Sequence, residues 1–411
     1  MLSTLVIFSA RLSFADQIVY PTGTFPRDVQ AVQAAVDAGG VVILKATDTL
    51  GKTKAFNFGP AVPGSGSISL THDVTILGEM LGNQMTTIQG GHFPFYSMAR
   101  IHTKIHGIHF KEPLQSAVLL IASVGTEISG NRISDVVGVF SAGLTFGDGI
   151  IVSGFPDPSN ITGELIVADN VVNRVHAHIG WGIIVSWQDG AANIARNQVY
   201  GHNFEGIAVS RHTRLAQIVD NLVVPGPPQD PNFTSGNGIV CNLAFGGSCY
   251  IARNTVICEN PAADGIQLIG DSANPVNNSV IEGNDVVMND SFFAGISLYG
   301  DVSHNLVRAN KITGNGAFVM QVARFTSTEP GIALSNTFVG NNIAQFEADI
   351  ADVFLDVTSR NTIVNGYSGT VIDLGNENSV SGFTKKAITQ DLGTRIREAL
   401  QLKATLLQRT Q

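Results

Sequence analysis

Between residues 175 and 214 the chain gathers side chains capable of acid–base and polar-binding chemistry. They are His176, His178, Trp181, Trp187, Asp189, Tyr200, His202, Glu205, Arg211, His212 and Arg214. Four of the ten histidines and both tryptophans fall in these 40 residues, which singles the stretch out. Taking a proton from a carbon beside a carboxylate needs a cation to neutralise that carboxylate and a base to accept the proton. Arg211 or Arg214 suits the first role, and His178, His202 or His212 the second. An exposed indole at Trp187 would stack on a sugar face, with Asp189 and Arg214 beside it as polar contacts. The competing reading makes His176, His178 and Tyr200 ordinary surface and turn residues.

A second chemistry uses the residues that precede successive Gly-Ile pairs: Asp148, Trp181, Glu205, Asn237 and Asp264. If those pairs stack, Glu205 and Asp264 stand two strands apart, about 9–10 Å at the usual spacing. Inverting glycosidases hold their carboxylates roughly 6.5–9.5 Å apart. Acids before Gly are also plain turn formers. Gln267, Ser297 and Tyr299 extend a polar strip suited to a chain of sugars, unless it is simply a solvated sheet face. Asp271 and Asp301 are the candidate Ca²⁺ ligands. Two loop carboxylates do not by themselves make such a site, which takes roughly six to eight oxygens.

Two recurring phrases must position these groups. One is Gly149-Ile-Ile-Val-Ser, Gly182-Ile-Ile-Val-Ser, Gly206-Ile-Ala-Val-Ser, Gly238-Ile-Val-Cys-Asn, Gly265-Ile-Gln-Leu-Ile and Gly295-Ile-Ser-Leu-Tyr. Its apolar residues alternate, as in a strand with one face inward. The other phrase carries Asn131, Asn170, Asn197, Asn221, Asn254 and Asn284, at intervals of 39, 27, 24, 33 and 30 residues. Two short strands per irregular period describe a solenoid whose rungs bury each other's apolar face. Each Asn is expected to take left-handed backbone geometry at a corner, its amide bonding the backbone and the next Asn. Asn305, Asn310 and Asn341 continue the pattern less regularly. Insertions at 134–148, 154–165, 225–237, 270–280 and 315–330 are expected to build a groove on one side.

Composition limits the partners. The chain of 411 residues is 44% hydrophobic, 14% charged and carries a net charge of −9, with no Lys/Arg run, so nucleic acid is excluded as a partner. No stretch is long and apolar enough to span a membrane. Residues 1–16 read as a weak secretory signal, implying a secreted or periplasmic protein, with an ordered N-terminal strand as the alternative. Cys241 occupies an inward strand position and reads as a buried thiol; Cys249 and Cys258 are the pair that could bridge. No Cys/His spacing resembles a zinc site.

Residues 26–39 form the clearest helix, ended by Gly39-Gly40 and followed by a strand at Val41–Leu44. The segment from Asp28 to Leu44 resembles the N-terminal cap of the pectate-lyase-like superfamily. Asp73–Gly78, Thr87–Gly91 and Lys104–Phe110 are similar to its first rungs. The resemblance covers about residues 26–385 and implies an all-β, single-stranded right-handed parallel β-helix. It implies no particular activity. The superfamily's polygalacturonase and pectate-lyase motifs are missing. Asp157-Pro158-Ser159-Asn160 also lacks the histidine of the mannuronan-epimerase motif.

The expected plan is therefore a possible signal at 1–16, a cap at 17–64, the β-helix at 65–385 and an amphipathic C-terminal helix at 386–411. That helix is expected to cover the last rung or to mediate self-association. The expected function is a polysaccharide lyase or epimerase acting on a uronate-containing glycan. The alternatives are a non-catalytic β-helix for adhesion or envelope structure, and an inverting glycoside hydrolase.

Overall fold

A computed structural model describes residues 16–141, 144–177, 179–226, 236–259, 263–324 and 331–408. The candidate signal at 1–16 therefore lies outside the described residues, except for Asp16. The chain coils through short parallel strands, each paired with the strand one turn later. One sheet holds fourteen of them in sequence order, from Gln17–Val19 to Ser379–Val380. A second face carries the Gly-Ile phrases. Here Asp148–Ser153, Ile183–Gln188, Glu205–His212, Asn237–Asn242, Ile266–Gly270 and Asp285–Gly300 pair in that order.

The register explains the repeat. Ile150, Ile183, Ile207, Ile239, Ile266 and Ile296 are successive partners, and all are fully buried. Each such burial contributes roughly 2 kcal/mol, and it exists only because the next turn covers it. The glycine before each Ile has a steric cause. A Cβ on Gly206 would sit 2.2 Å from Val223 Cγ1 and 2.7 Å from the Gly238 carbonyl oxygen. No side chain fits where the sheet bends this close to its neighbours.

The repeated asparagines form a buried ladder. Each Nδ2 donates to the Oδ1 of the next, from Asn131 through Asn170, Asn197, Asn221, Asn254, Asn284 and Asn310 to Asn341, at 2.8–3.1 Å. Two expectations are corrected. The left-handed residue is the one before each Asn: Asp169, Arg196, Asp220 and Arg253 have φ of 55–59°. The Asn itself is not left-handed, and its amide bonds along the stack. Asn305 belongs to a second ladder, donating to Asn336 at 3.0 Å.

Helix α1 (Arg27–Ala38) buries Val32, Ala35 and Val36 in the main core. Asp28 anchors its start, accepting from the Thr22 amide at 2.7 Å and the Asn57 amide at 2.7 Å. Helix α2 (Gln390–Gln408) adds Leu392 and Ile396 to a separate cluster with Phe318, Ile350, Phe354 and Ile372, on the outside of the coil. No helix among the described residues is long and apolar enough to cross a membrane.

Candidate functional site

The Gly-Ile sheet has two edges, and the chemistry-bearing residues divide between them. At the leading edge, Asp148, Trp181, Glu205, Asn237 and Asp264 form one column by register. Each hydrogen bond along it runs to an adjacent rung. The Trp181 amide donates to Asp148 Oδ1 at 3.1 Å, and Trp181 Nε1 donates to Glu205 Oε2 at 2.8 Å. The Asp264 amide donates to Asn237 Oδ1 at 3.0 Å. Carboxylates thus occupy alternate rungs, with a hydrogen-bonding residue between them. Burial pushes the Asp148 carboxyl up to about 7, against the smaller opposing effect of the Trp181 amide. A carboxyl in that range is a proton donor near neutrality.

At the trailing edge the corner residues are Trp187, Arg211 and Leu243, with φ of 53°, 51° and 48°. Left-handed backbone is costly for bulky side chains, and here it turns an indole and a guanidinium outward. The Arg211 guanidinium lies 5.2 Å from the Trp187 ring centre. Phe155 and Phe245 meet the same indole edge-on, at 5.3 and 5.2 Å. Six arginines of the coil (Arg174, Arg196, Arg214, Arg253, Arg308 and Arg324) pair with carboxylates. Among the described residues Arg211 makes no ion pair. Partial burial pulls its affinity for a proton down, while the charge of Asp271 opposes that effect. The composition of the stretch signalled Trp187 and Arg211; Phe155 and Phe245, far off in sequence, carried no signal.

The histidine expectations require correction. His202 and His212 are fully buried inside the coil. The His202 Nε2 is 3.1 Å from the Asn237 carbonyl oxygen and that of His212 is 3.3 Å from the Ser248 carbonyl oxygen. Burial lowers both rings to about 4. Neither ring keeps any surface open to solvent, whereas Asp148 and Glu205 keep 5% and 6%. His178 lies outside the described residues. His176 is exposed and 3.6 Å from Asp135, and the Tyr200 hydroxyl donates to Gln198 at 3.0 Å, so both behave as surface residues.

The polar strip is corrected too. Gln267, Ser297 and Tyr299 are buried, and all three donate to Asp264. The Ala294 amide adds a further bond to Asp264 at 3.1 Å, and Gln321 Nε2 donates to Ser297 Oγ at 2.9 Å. Burial and the Asp264 charge push the Tyr299 hydroxyl well above its ordinary range. These residues make an internal network rather than a sugar-binding surface. Asp264 is 0% exposed and Glu205 6%, so both are buried, Asp264 the more completely.

Asp189 and Arg214 bind one another at 3.4 Å, and Thr213 Oγ1 also donates to Asp189. Asp271 Oδ1 caps its own loop, accepting from the amides of Ala273 and Asn274 at 2.9 and 2.6 Å. Asp301 Oδ1 accepts from the Ile332 amide at 3.1 Å. The cysteine expectation is overturned as well. Cys241 and Cys249 form the disulfide, and Cys258 is buried outside it.

No protein-family model matches the sequence, and no curated protein sequence does. Solved structures do match. The A-module of mannuronan C-5 epimerase AlgE4 from Azotobacter vinelandii aligns over 88% of this chain and 94% of its own, with a TM-score of 0.55 and 13% identity. The fold is a right-handed parallel β-helix. DFA-IIIase from Arthrobacter chlorophenolicus A6 aligns over 82% of this chain and 87% of its own, at TM-score 0.44 and 11% identity. A mannuronic-acid-specific family 6 polysaccharide lyase from human gut microbiota covers 94% of both chains at TM-score 0.43 and 9% identity. At such identities the likeness speaks for the β-helix alone.

Proposed function

We propose that this β-helix is a carbohydrate-active enzyme acting on a uronate-containing polysaccharide, as a lyase or epimerase. The observation that carries the reading is Arg211. It is a guanidinium without a carboxylate partner among the described residues, layered on an indole that two further aromatic rings enclose. A sugar carboxylate supplies the missing charge, and the aromatic rings suit a pyranose face.

Arg211 and Glu205 lie six residues apart on one strand, roughly 20 Å at the rise of a strand. Arg211 therefore grips a sugar at a distance from any bond broken over Glu205. In this reading the chemistry belongs to the leading column. Asp148 in its protonated form donates to the carboxylate of the reacting sugar, and Glu205 takes the C5 proton. In a lyase the enolate then breaks the C4–O bond, the leaving oxygen taking a proton from water; in an epimerase it regains a proton from water on the other face of C5. The proposal includes a secreted or periplasmic setting, which suits the Cys241–Cys249 disulfide. No step is assigned to Ca²⁺.

The test incubates purified protein with a panel of acidic polysaccharides. It follows the ultraviolet absorbance of unsaturated uronates, reducing ends, and deuterium entry at C5. Absorbance identifies a lyase; deuterium entry without cleavage identifies an epimerase. Loss of either on Glu205→Gln supports the assignment. A second reading, glycoside hydrolysis, draws on the two-rung spacing of Asp148 and Glu205 and predicts reducing ends without absorbance. Silence in all three channels would leave a binding protein.

A further inference from the structure

We propose that His212, Cys241 and Cys249 form a buried site for a zinc-type cation when the chain is reduced, metal and disulfide being alternative occupants of one place. The reading is independent of the surface chemistry above. His212 Nε2 and the two sulfurs all lie within 4.8 Å of one another, and all three side chains are buried. His212 Nε2 is 3.7 Å from the Cys249 sulfur and 3.3 Å from the Ser248 carbonyl oxygen, a fourth donor at hand. Two thiolates, an imidazole and one oxygen suit a tetrahedral Zn²⁺.

The surroundings point the same way. Among the described residues His212 Nδ1 is buried without a partner, and so are both side-chain amide atoms of Gln188. Gln188 is His212's register partner one rung earlier. A cation on Nε2 fixes the proton on Nδ1, and the Gln188 side-chain oxygen, one rung earlier and also without a partner among the described residues, is the acceptor we propose for it. Such an outer partner commonly orients a ligating imidazole. His212 lies well before Cys241 and Cys249, which are eight residues apart, and no zinc-type spacing announces the site.

The chemistry balances. A phosphine reductant breaks the S–S bond, each sulfur gaining an electron and a proton, while the phosphine takes oxygen from water and becomes its oxide. Zn²⁺ then displaces both thiol protons as two metal–sulfur bonds form.

The experiment refolds the full chain in phosphine with Co²⁺, a coloured stand-in for Zn²⁺, and compares it with the oxidised chain. The expected result is one Co²⁺ per reduced chain, with visible bands of tetrahedral Co²⁺ and a thiolate-to-cobalt band in the near ultraviolet. The oxidised chain should show neither. Cys258→Ser should leave the bands intact, Cys241→Ser with Cys249→Ser should abolish them, and His212→Ala should shift and weaken them. The proposal is overturned if a reduced chain with a β-sheet circular dichroism spectrum shows no thiolate–cobalt band, or if the double serine variant keeps it. Failure of the reduced chain to fold with Co²⁺ present would also overturn it, since the disulfide would then be the required cross-link.

Discussion

Two corners of the coil use the same backbone device for opposite ends. At the asparagine corner a left-handed residue precedes each Asn, and the Asn side chains form a ladder eight residues long. At the trailing corner Trp187, Arg211 and Leu243 take the same left-handed geometry, yet no two are alike. The first corner repeats because each amide is completed by the next rung. The second does not repeat, and it spends unfavourable backbone on an indole and a guanidinium that face outward. Repetition marks what holds the coil up; costly irregularity marks what faces a ligand.

The largest expected effect tests the ladder. Asn221 makes bonds to Asn197, Asn254 and the Ile194 carbonyl. Asn221→Ala strands buried partners on both neighbouring rungs and should cost about 4 kcal/mol, read by chemical denaturation. A loss below about 1 kcal/mol would show that the ladder is ornamental.

Next is a pair of opposed pH effects beside the leading edge. The His202 ring is held down at about 4, so its contribution is present above about 6.5 and is lost as pH falls toward 4. Asp148 is raised to about 7, so its contribution is present below about 4 and is lost as pH rises through 7. Asp148→Asn should therefore gain stability over the parent between pH 4 and 7, by up to about 4 kcal/mol. Parallel denaturation curves for the two proteins across that range would contradict the buried-acid assignment.

The trailing corner should respond in the other sense. Arg211→Gly relieves a left-handed side chain, so its stability should hold or rise by up to about 1 kcal/mol. Trp187→Gly also gives up the Phe155 and Phe245 contacts and should lose stability. Affinity for an acidic polysaccharide should fall about tenfold or more, and the parent's affinity should weaken with added salt. Calorimetry on both variants checks this. Loss of stability in Arg211→Gly with binding unchanged would make the corner structural after all. Smallest of all is Arg196→Ala, which removes the exposed pair with Asp169 at 2.7 Å and should cost less than about 1 kcal/mol in thermal denaturation.

Much of the coil was legible beforehand because its information is periodic. Alternating Ile and Val after each Gly state which face is inward, and recurring Asn states where the chain turns. The site was legible only in part. Trp187, Arg211 and Glu205 emerge from residue type and position, whereas His202 and His212 share their chemistry but not their exposure. An alternation rule says little at a bend, where one residue determines whether a ring enters the coil or leaves it. Likewise Gln267, Ser297 and Tyr299 occupy outward strand positions and are buried all the same.

The sequence by itself determined the solenoid, its buried columns, the ladder of amides and the stretch where chemistry concentrates. Those features depend on neighbours a rung away, and every rung restates them. Only the tertiary structure decided that Cys241 pairs with Cys249, that Asp264 is enclosed by a private network, and that Phe155 and Phe245 gather around Trp187. Each of these depends on how irregular segments of unequal length return to the coil. That return is fixed by packing and burial in three dimensions, for which a single turn of sequence contains no repeat.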